Sequence, residues 1–426
     1  MRKHLAALGA SALAISTLTV AGAGSGEGPA SAASAGSASQ GVSATTIRVG
    51  IPYVDLSAVR KFGITLDHGN YADAYGALIA DLNAHGGVDG RKVVPYLVAV
   101  NPVGTAPSAT ACAQLAQDDK VFVVLAPQQP DCYLTQYGVP TINGNSQESA
   151  VTGGTPNFTM LTPPAAFDPE LMAALARHGV FKGKKVGVFA GQVTDQPELQ
   201  VVLRSLKALH VNVVESAVDS APTGDQSATN QEEATIAQRF EATGVNEVVA
   251  VGTGSLQWPS GLQAEQSTYN PPWVATNAGT LNTAVIASSI TPTYLKHLVT
   301  ASPVLDNYQT WHQPADQRCL RIVRAAYPDD KITAPTEPIT GSDQSFYAIQ
   351  DACDNLALFA AIAKGAGKDL TRAAFIKAGY ALHGANLPLA AEPVSFAPGR
   401  PYPLGPVYIG TYDATKNSVQ YAPASG

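Results

Sequence analysis

Gly76-Ala77-Leu78-Ile79-Ala80-Asp81-Leu82-Asn83-Ala84-His85-Gly86-Gly87-Val88-Asp89-Gly90-Arg91-Lys92 is the stretch whose reading decides the fold. Its first half is patterned as a helix: Tyr75, Leu78, Ile79 and Leu82 recur at i, i+3, i+4 and i+7 and share one face. Gly86-Gly87 stops the helix, because glycine, lacking a Cβ, adopts a left-handed cap freely, and Gly90 provides a second turn. An apolar strand follows, Val93 to Val100, and another precedes the helix, Ile47 to Tyr53. Strand, helix, Gly-rich turn and strand form the opening unit of a parallel α/β sheet.

The same alternation restarts after Lys184. Strand Val186–Ala190, helix Gln196–Leu209, strand Val211–Glu215, helix Asn230–Thr243 and strand Glu247–Gly252 are expected in turn. A helix near Ser260–Ser267 and a strand Trp273–Thr276 continue the series, and Phe396–Arg400 and Val407–Tyr412 read as closing strands. A chain of 426 residues exceeds one compact core and suits two domains.

Asn83-x-x-Gly86-Gly87-Val88-x-Gly90-Arg91 resembles the "N-x-x-GG-[IV]-x-G-[RK]" string of type I periplasmic binding proteins, in particular the leucine/isoleucine/valine-binding family. Two further stretches are similar to that family. Asn157–Pro164 is similar to its first crossover into a second lobe, and the helix from Phe346 through Tyr347, Leu356, Phe359 and Ala363 to its return helix. The resemblance implies an α/β fold class: two Rossmann-like lobes built from discontinuous chain and joined by a multi-crossover hinge. Lobe I is expected from 44–161 and 302–382. Lobe II is expected from 162–301 and 383–426, with the C-terminal tail.

The N-terminus has the layout of a secretory signal peptide, assigned to 1–35. Arg2-Lys3-His4 is followed by an apolar run, Leu5 to Val20, then by Ala21-Gly22-Ala23, Ala30-Ser31-Ala32 and Ala33-Ser34-Ala35. The run is short for a bilayer span, and residues 36–43 close a Gly/Ser/Ala stretch that offers nothing to bury and reads as a disordered linker. No cysteine stands near the signal to receive a lipid. The expected location is therefore secreted or cell envelope, with no membrane span after signal removal.

Acidic residues outnumber basic ones, 33 to 26, for a net charge of -7, which gives no footprint for nucleic acid. The densest basic cluster, Lys182-Gly183-Lys184-Lys185, precedes a strand and reads as a solvated turn. Four cysteines in an exported chain favour disulfides over zinc, since no Cys-x-x-Cys is present. Four allow three pairings. The family resemblance implies Cys112 with Cys132, and Cys319 and Cys353 lie on later helical stretches able to pack together.

Ligands of open α/β sheets bind beyond the carboxyl ends of the strands. Polar residues expected there are Tyr53, Gln128, Gln129, Asn145, Ser146 and Gln147 in lobe I, and Thr194, Asp195, Ser255, Trp258 and Asn277 in lobe II. Asn145 and Ser146 match the loop where family members hold an amino-acid carboxylate. Gln128-Gln129 departs from the Ser/Thr-rich run that family members show there. Several candidates have structural readings too. Ser146 suits a turn, Asp195 a helix N-cap, and Trp258 and Tyr53 lobe packing.

No G-x-S-x-G elbow, H-E-x-x-H or P-loop follows the signal region, and the histidines are not paired at ligand spacing. Gly252-Thr253-Gly254-Ser255 begins like a phosphate loop but lacks its later glycine and lysine. The resemblance therefore implies a monomeric, non-enzymatic solute-binding protein without cofactor or metal. It would capture a small polar molecule, an amino acid or related compound, for an ABC permease. The alternatives are an orphan sensor or scaffold on the same fold and, further off, a secreted hydrolase.

Overall fold

The computed structural model describes residues 39–62, 66–143, 151–152, 154–160, 162–222, 225–276, 290–336, 343–390, 392–403, 407–416 and 418–423. The signal segment and most of the linker lie outside them. Among the described residues no helix is long and apolar enough to cross a membrane.

The deciding stretch folds as β1 (Thr46–Val54), α1 (Tyr71–Ala84) and β2 (Lys92–Val100). Asn70 caps α1 by accepting from the Asp73 backbone N–H at 3.1 Å, and Tyr71, Ala74, Tyr75, Leu78 and Ile79 form its buried face. The stop is left-handed at Gly86 (φ 94°) and Gly87 (φ 64°), and a Cβ on Gly87 would meet the Arg91 carbonyl. Asn83 and Arg91 of the string also have physical tasks in this chain. The Asn83 amide donates to the Val93 carbonyl at 2.9 Å and accepts from its N–H at 2.8 Å, satisfying the outer rim of edge strand β2. Arg91 donates to the carbonyls of Ser43 and Lys368 at 2.9 and 2.6 Å.

Two sheets result. The first runs β2-β1-β3-β4-β6-β5, with β3 (Val123–Leu125), β4 (Thr141–Ile142), β5 (Val151–Thr152) and β6 (Thr155–Phe158). All its pairings are parallel except β5 with β6. β1 is covered on both faces. Ile47, Val49 and Ile51 pack with α1, while Gly50 faces Leu115, Val121 and Val124.

The second sheet runs β13-β12-β11-β10-β9-β7-β8. It contains β7 (Val186–Ala190), β8 (Val213–Val218), β9 (Glu247–Val251), β10 (Trp273–Ala275), β11 (Leu298–Ser302), β12 (Tyr408–Asp413) and β13 (Ser418–Pro423). Five parallel strands end in an antiparallel hairpin, β12 with β13, on β11. Around this sheet lie α3 (Pro164–Arg177), α4 (Gln196–Ala208), α5 (Gln226–Thr243), α6 (Gly254–Ala264) and α7 (Pro292–Leu295).

The late helices α8 (Asn307–Trp311), α9 (Pro314–Ala326), α10 (Tyr347–Ala366) and α11 (Arg372–Tyr380) return to the first sheet. Trp311, Leu320, Val323, Phe359 and Phe375 share one core with Ile47, Leu78 and Phe158. The chain thus passes between the sheets three times: after β6, after β11 and before β12. At the passages Thr159 N–H donates to the Pro401 carbonyl at 2.9 Å and the Thr162 hydroxyl to that of Pro403 at 2.8 Å. The architecture is two Rossmann-like lobes joined by a multi-crossover hinge.

The expected strand Phe396–Arg400 is a turn instead. Pro398-Gly399 closes it, with Gly399 at φ 73° and Arg400 N–H bonded to the Ala397 carbonyl at 2.8 Å. Phe396 packs into the lobe I core, against Phe158. The strand that pairs with β12 is β13. The helix expected near Ser260 begins earlier, at Gly254, two residues after the left-handed Gly252.

Disulfides join Cys112, in α2 (Ala106–Ala113), to Cys132 and Cys319, on α9, to Cys353, on α10. These are the expected pairings.

Candidate functional site

Parallel strands end along one edge of each sheet, so the loops after β1, β3 and β4 are neighbours in lobe I, and those after β7, β9 and β10 in lobe II. At this edge the backbone adopts conformations that side chains ordinarily avoid. Ala126, just after β3, has φ 47°, and its N–H reaches the Ile142 carbonyl at 2.7 Å. Asn143, just after β4, also has φ 47°. Gly252, just after β9, has φ 57°. Left-handed backbone costs a non-glycine residue about 1 kcal/mol or more, and such residues concentrate at functional loops.

Asn143 is held by its own amide. It donates to Asn355 at 2.9 Å and accepts from the Met160 N–H at 2.8 Å. Asn355 in turn donates to the Tyr75 hydroxyl at 2.8 Å. This chain of amides ties the end of β4 to α10 and α1. Asn145, Ser146 and Gln147 follow at once but lie outside the described residues, as does Asn277.

Gln128 and Gln129 are exposed on the turn after Ala126, next to Pro52, Val100 and Tyr133. Tyr53, next to last in β1, lies beside a cavity of about 410 Å³ in lobe I, whose lining includes Asp55, Arg60, His68, Asn70 and Ser345. Its ring stacks with that of Tyr71, centroids 6.0 Å apart. The structure therefore brings Tyr53, Gln128 and Gln129 to one edge.

The cavity wall is electrostatically organised. The Asp343 carboxylate takes hydrogen bonds from Lys331 at 2.9 Å, from Thr333 at 2.8 Å and from Ser345 at 2.9 Å, which lower its pKa to about 2. Burial lowers the His68 pKa to about 4, so its imidazole is neutral at pH 7. Tyr71 donates to Asp351 at 3.1 Å, deeper in the core, where burial raises that carboxyl to about 6.

Lobe II uses its candidates differently. Thr194 stays exposed on the short turn Val193–Asp195. Asp195 makes no capping bond to α4; its carboxylate accepts from the N–H and the hydroxyl of Thr253 at 3.0 and 2.5 Å. Glu198 accepts from the Thr276 hydroxyl at 2.7 Å and the Gly252 N–H at 3.2 Å. Asp168, buried on α3, has its carboxyl pushed well up by burial and by the neighbouring Glu198 carboxylate.

Two further candidates are buried. Ser255 is fully buried, and its hydroxyl donates to the Ala250 carbonyl at 3.1 Å, because it falls in the first turn of α6. Trp258 lies on the core face of that helix, packed with Phe189, Phe240 and Tyr269.

Residues missed in the sequence include Asn143, His68, Tyr71 and Ser345. Asn143 carries a usable signal, since asparagine tolerates left-handed backbone and here directly follows a buried strand. Ser345 and His68 meet through long-range packing and carry none. Among the described residues no group of three His, Cys, Asp or Glu side chains is placed to hold a metal ion.

A family model described as periplasmic binding protein matches residues 46–417. A search of curated proteins returns no match. Solved structures similar to the chain include an ABC transporter substrate-binding protein from Desulfitobacterium hafniense in complex with Leu. That structure is 15% identical, with 89% of this chain and 99% of that one covered and a TM-score of 0.59. A fatty acid ABC transporter substrate-binding protein from Thermomonospora curvata is 15% identical, covering 92% and 94%, with a TM-score of 0.60. A solute-binding protein from R. palustris in complex with 4-hydroxybenzoate is 15% identical, covering 89% and 96%, with a TM-score of 0.59. At this identity the likenesses speak for the fold.

Proposed function

The chain belongs to the periplasmic binding protein family, and from that premise we propose that it captures a small polar solute, an amino acid or related compound, between its two lobes for an ABC permease. The observation that carries the reading is the pair of polar carboxyl edges, each turned by left-handed residues: Ala126 and Asn143 in one lobe, Gly252 in the other. Two such edges on lobes joined by crossover strands form a crevice able to close on a solute.

In lobe I, Tyr53, Gln128 and Gln129 supply contacts, with Asn145, Ser146 and Gln147 beyond Asn143. In lobe II, Thr194 and Asn277 do so. Asp195 shapes the site by fixing the loop at Thr253 rather than by pairing with a ligand ammonium. Solved relatives in fold hold leucine and 4-hydroxybenzoate, so amino acids and aromatic acids head the candidates.

Lobe I takes 44–161 and 302–382, with Leu387, Val394 and Phe396 also on its core, and lobe II takes 162–301 and the strands that follow Phe396. The N-terminal 1–35 acts as an export signal, and the mature protein works outside the cytoplasm as a monomer. Capture and release need no nucleophile, so the protein is not an enzyme. A thermal-shift screen of amino acids, small amides, aromatic acids and polyols tests this. A true ligand at about 100 times its Kd stabilises by about 2.7 kcal/mol. Turnover of the ligand would defeat the reading.

A further inference from the structure

A second cavity of about 410 Å³ lies on lobe I, among α1, α9 and α10 and lined by no residue of the polar edge. Its floor is apolar: Leu82, Ile322, Ala357 and Ala360 are half-buried, and Leu78 and Leu356 lie beneath them. Its charged rim is mostly cationic. Arg318 and Lys364 are exposed, and Asp81 is the one acid among the described lining residues. Asp81 takes a hydrogen bond from Arg318 at 2.8 Å and faces the His85 ring at 3.4 Å, so it offsets one charge and Lys364 stays in excess.

The Cys319–Cys353 disulfide joins α9 to α10 beneath this cavity, and it holds the walls at a fixed spacing. A pocket of this volume is within the range that takes small ligands. Apolar floor and cationic rim, on a chain of net charge -7, are complementary to one chemistry: an apolar tail ending in a carboxylate.

We propose that this groove is a second binding site, separate from the inter-lobe crevice, for a small amphipathic carboxylate. The tail lies on Leu82, Ile322 and Ala360, and the carboxylate meets Lys364 and Arg318. Because α10 also supplies Asn355, which holds Asn143 at the polar edge, an occupant wedged against α10 has a physical route to the main site.

The test is calorimetric titration of the purified protein with octanoate and with octylamine. Octanoate binds and octylamine does not. Ala360→Phe, which fills the groove, weakens octanoate by about tenfold. Lys364→Glu, a surface change, weakens it by about threefold. Tyr53→Ala, at the polar edge, leaves octanoate unchanged, and thermal melts verify that each variant is folded. No octanoate binding, equal binding of octylamine, or loss in Tyr53→Ala with none in the groove variants would each overturn the proposal. The last pattern would assign octanoate to the crevice and leave the solute-binding reading intact.

Discussion

The Asp195 carboxylate grips Thr253 twice, accepting from its backbone N–H at 3.0 Å and its hydroxyl at 2.5 Å. This single side chain ties the loop after β7 to the loop after β9. Hydrogen bonds to a charged group contribute about 1.5–3 kcal/mol when fully buried, and partial exposure of Asp195 reduces the worth of this pair to about 2 kcal/mol in total. Asp195→Ala should therefore lower the unfolding free energy by about 2 kcal/mol in urea denaturation. Thr253→Val, which keeps the N–H bond, should cost less. Equal stability of Asp195→Ala and the parent would show that the clamp does not hold the edge.

Asn143 combines left-handed backbone with two amide hydrogen bonds, to Asn355 and to the Met160 N–H. Asn143→Ala loses both bonds and meets the full backbone penalty, so about 3 kcal/mol of destabilisation is expected. Asn143→Gly loses the bonds but relieves the backbone, and should be milder by about 1 kcal/mol. Denaturant midpoints rank the two. A glycine variant less stable than the alanine variant would contradict the account.

Burial raises the Asp351 carboxyl from 3.8 to about 6, against the counter-effect of the Tyr71 hydroxyl, with Asp354 and Asp316 nearby on the same core. The native state then keeps a proton that the unfolded chain releases. Its stabilising contribution is complete below the unfolded pKa and is lost as pH rises towards 6. Asp351→Asn removes the titration. The difference in stability between variant and parent should move in favour of the variant from pH 4 to pH 6, by up to about 3 kcal/mol, and then level off. A difference that stays flat over that range would mean that Asp351 does not titrate as described.

Cys319–Cys353 closes a loop of 34 residues between α9 and α10. Replacing both with serine should cost about 3–4 kcal/mol, mainly by freeing the unfolded chain. The Cys112–Cys132 pair spans 20 residues and should cost slightly less. Thermal melts of the two double variants test the order.

Much of the fold was legible because its signals are local. The helix periodicity through Tyr75, Leu78 and Ile79, the glycine stop and the Asn83 bonds to Val93, ten residues on, all fall in one short window, and β2 follows directly. The Phe396–Arg400 stretch misled for a local reason too: its apolar start resembles a strand, but Pro398-Gly399 imposes a turn. The site was less legible. Asp195 and Thr253 are separated by 58 residues and Asn143 and Asn355 by 212, so neither pairing leaves a mark in any short window. Ser255 and Trp258 were placed at the edge because α6 was expected to start later. Once Gly254 begins the helix, periodicity turns both inward.

The central claim is that a solute is held between the two carboxyl edges. The measurement that tests it most directly is a crystal structure with the tightest ligand from the thermal-shift screen. The account predicts ligand density between the lobes, touching Tyr53 or Gln128 from lobe I and the Thr194 turn from lobe II. Density confined to one lobe, away from both polar edges, would contradict it.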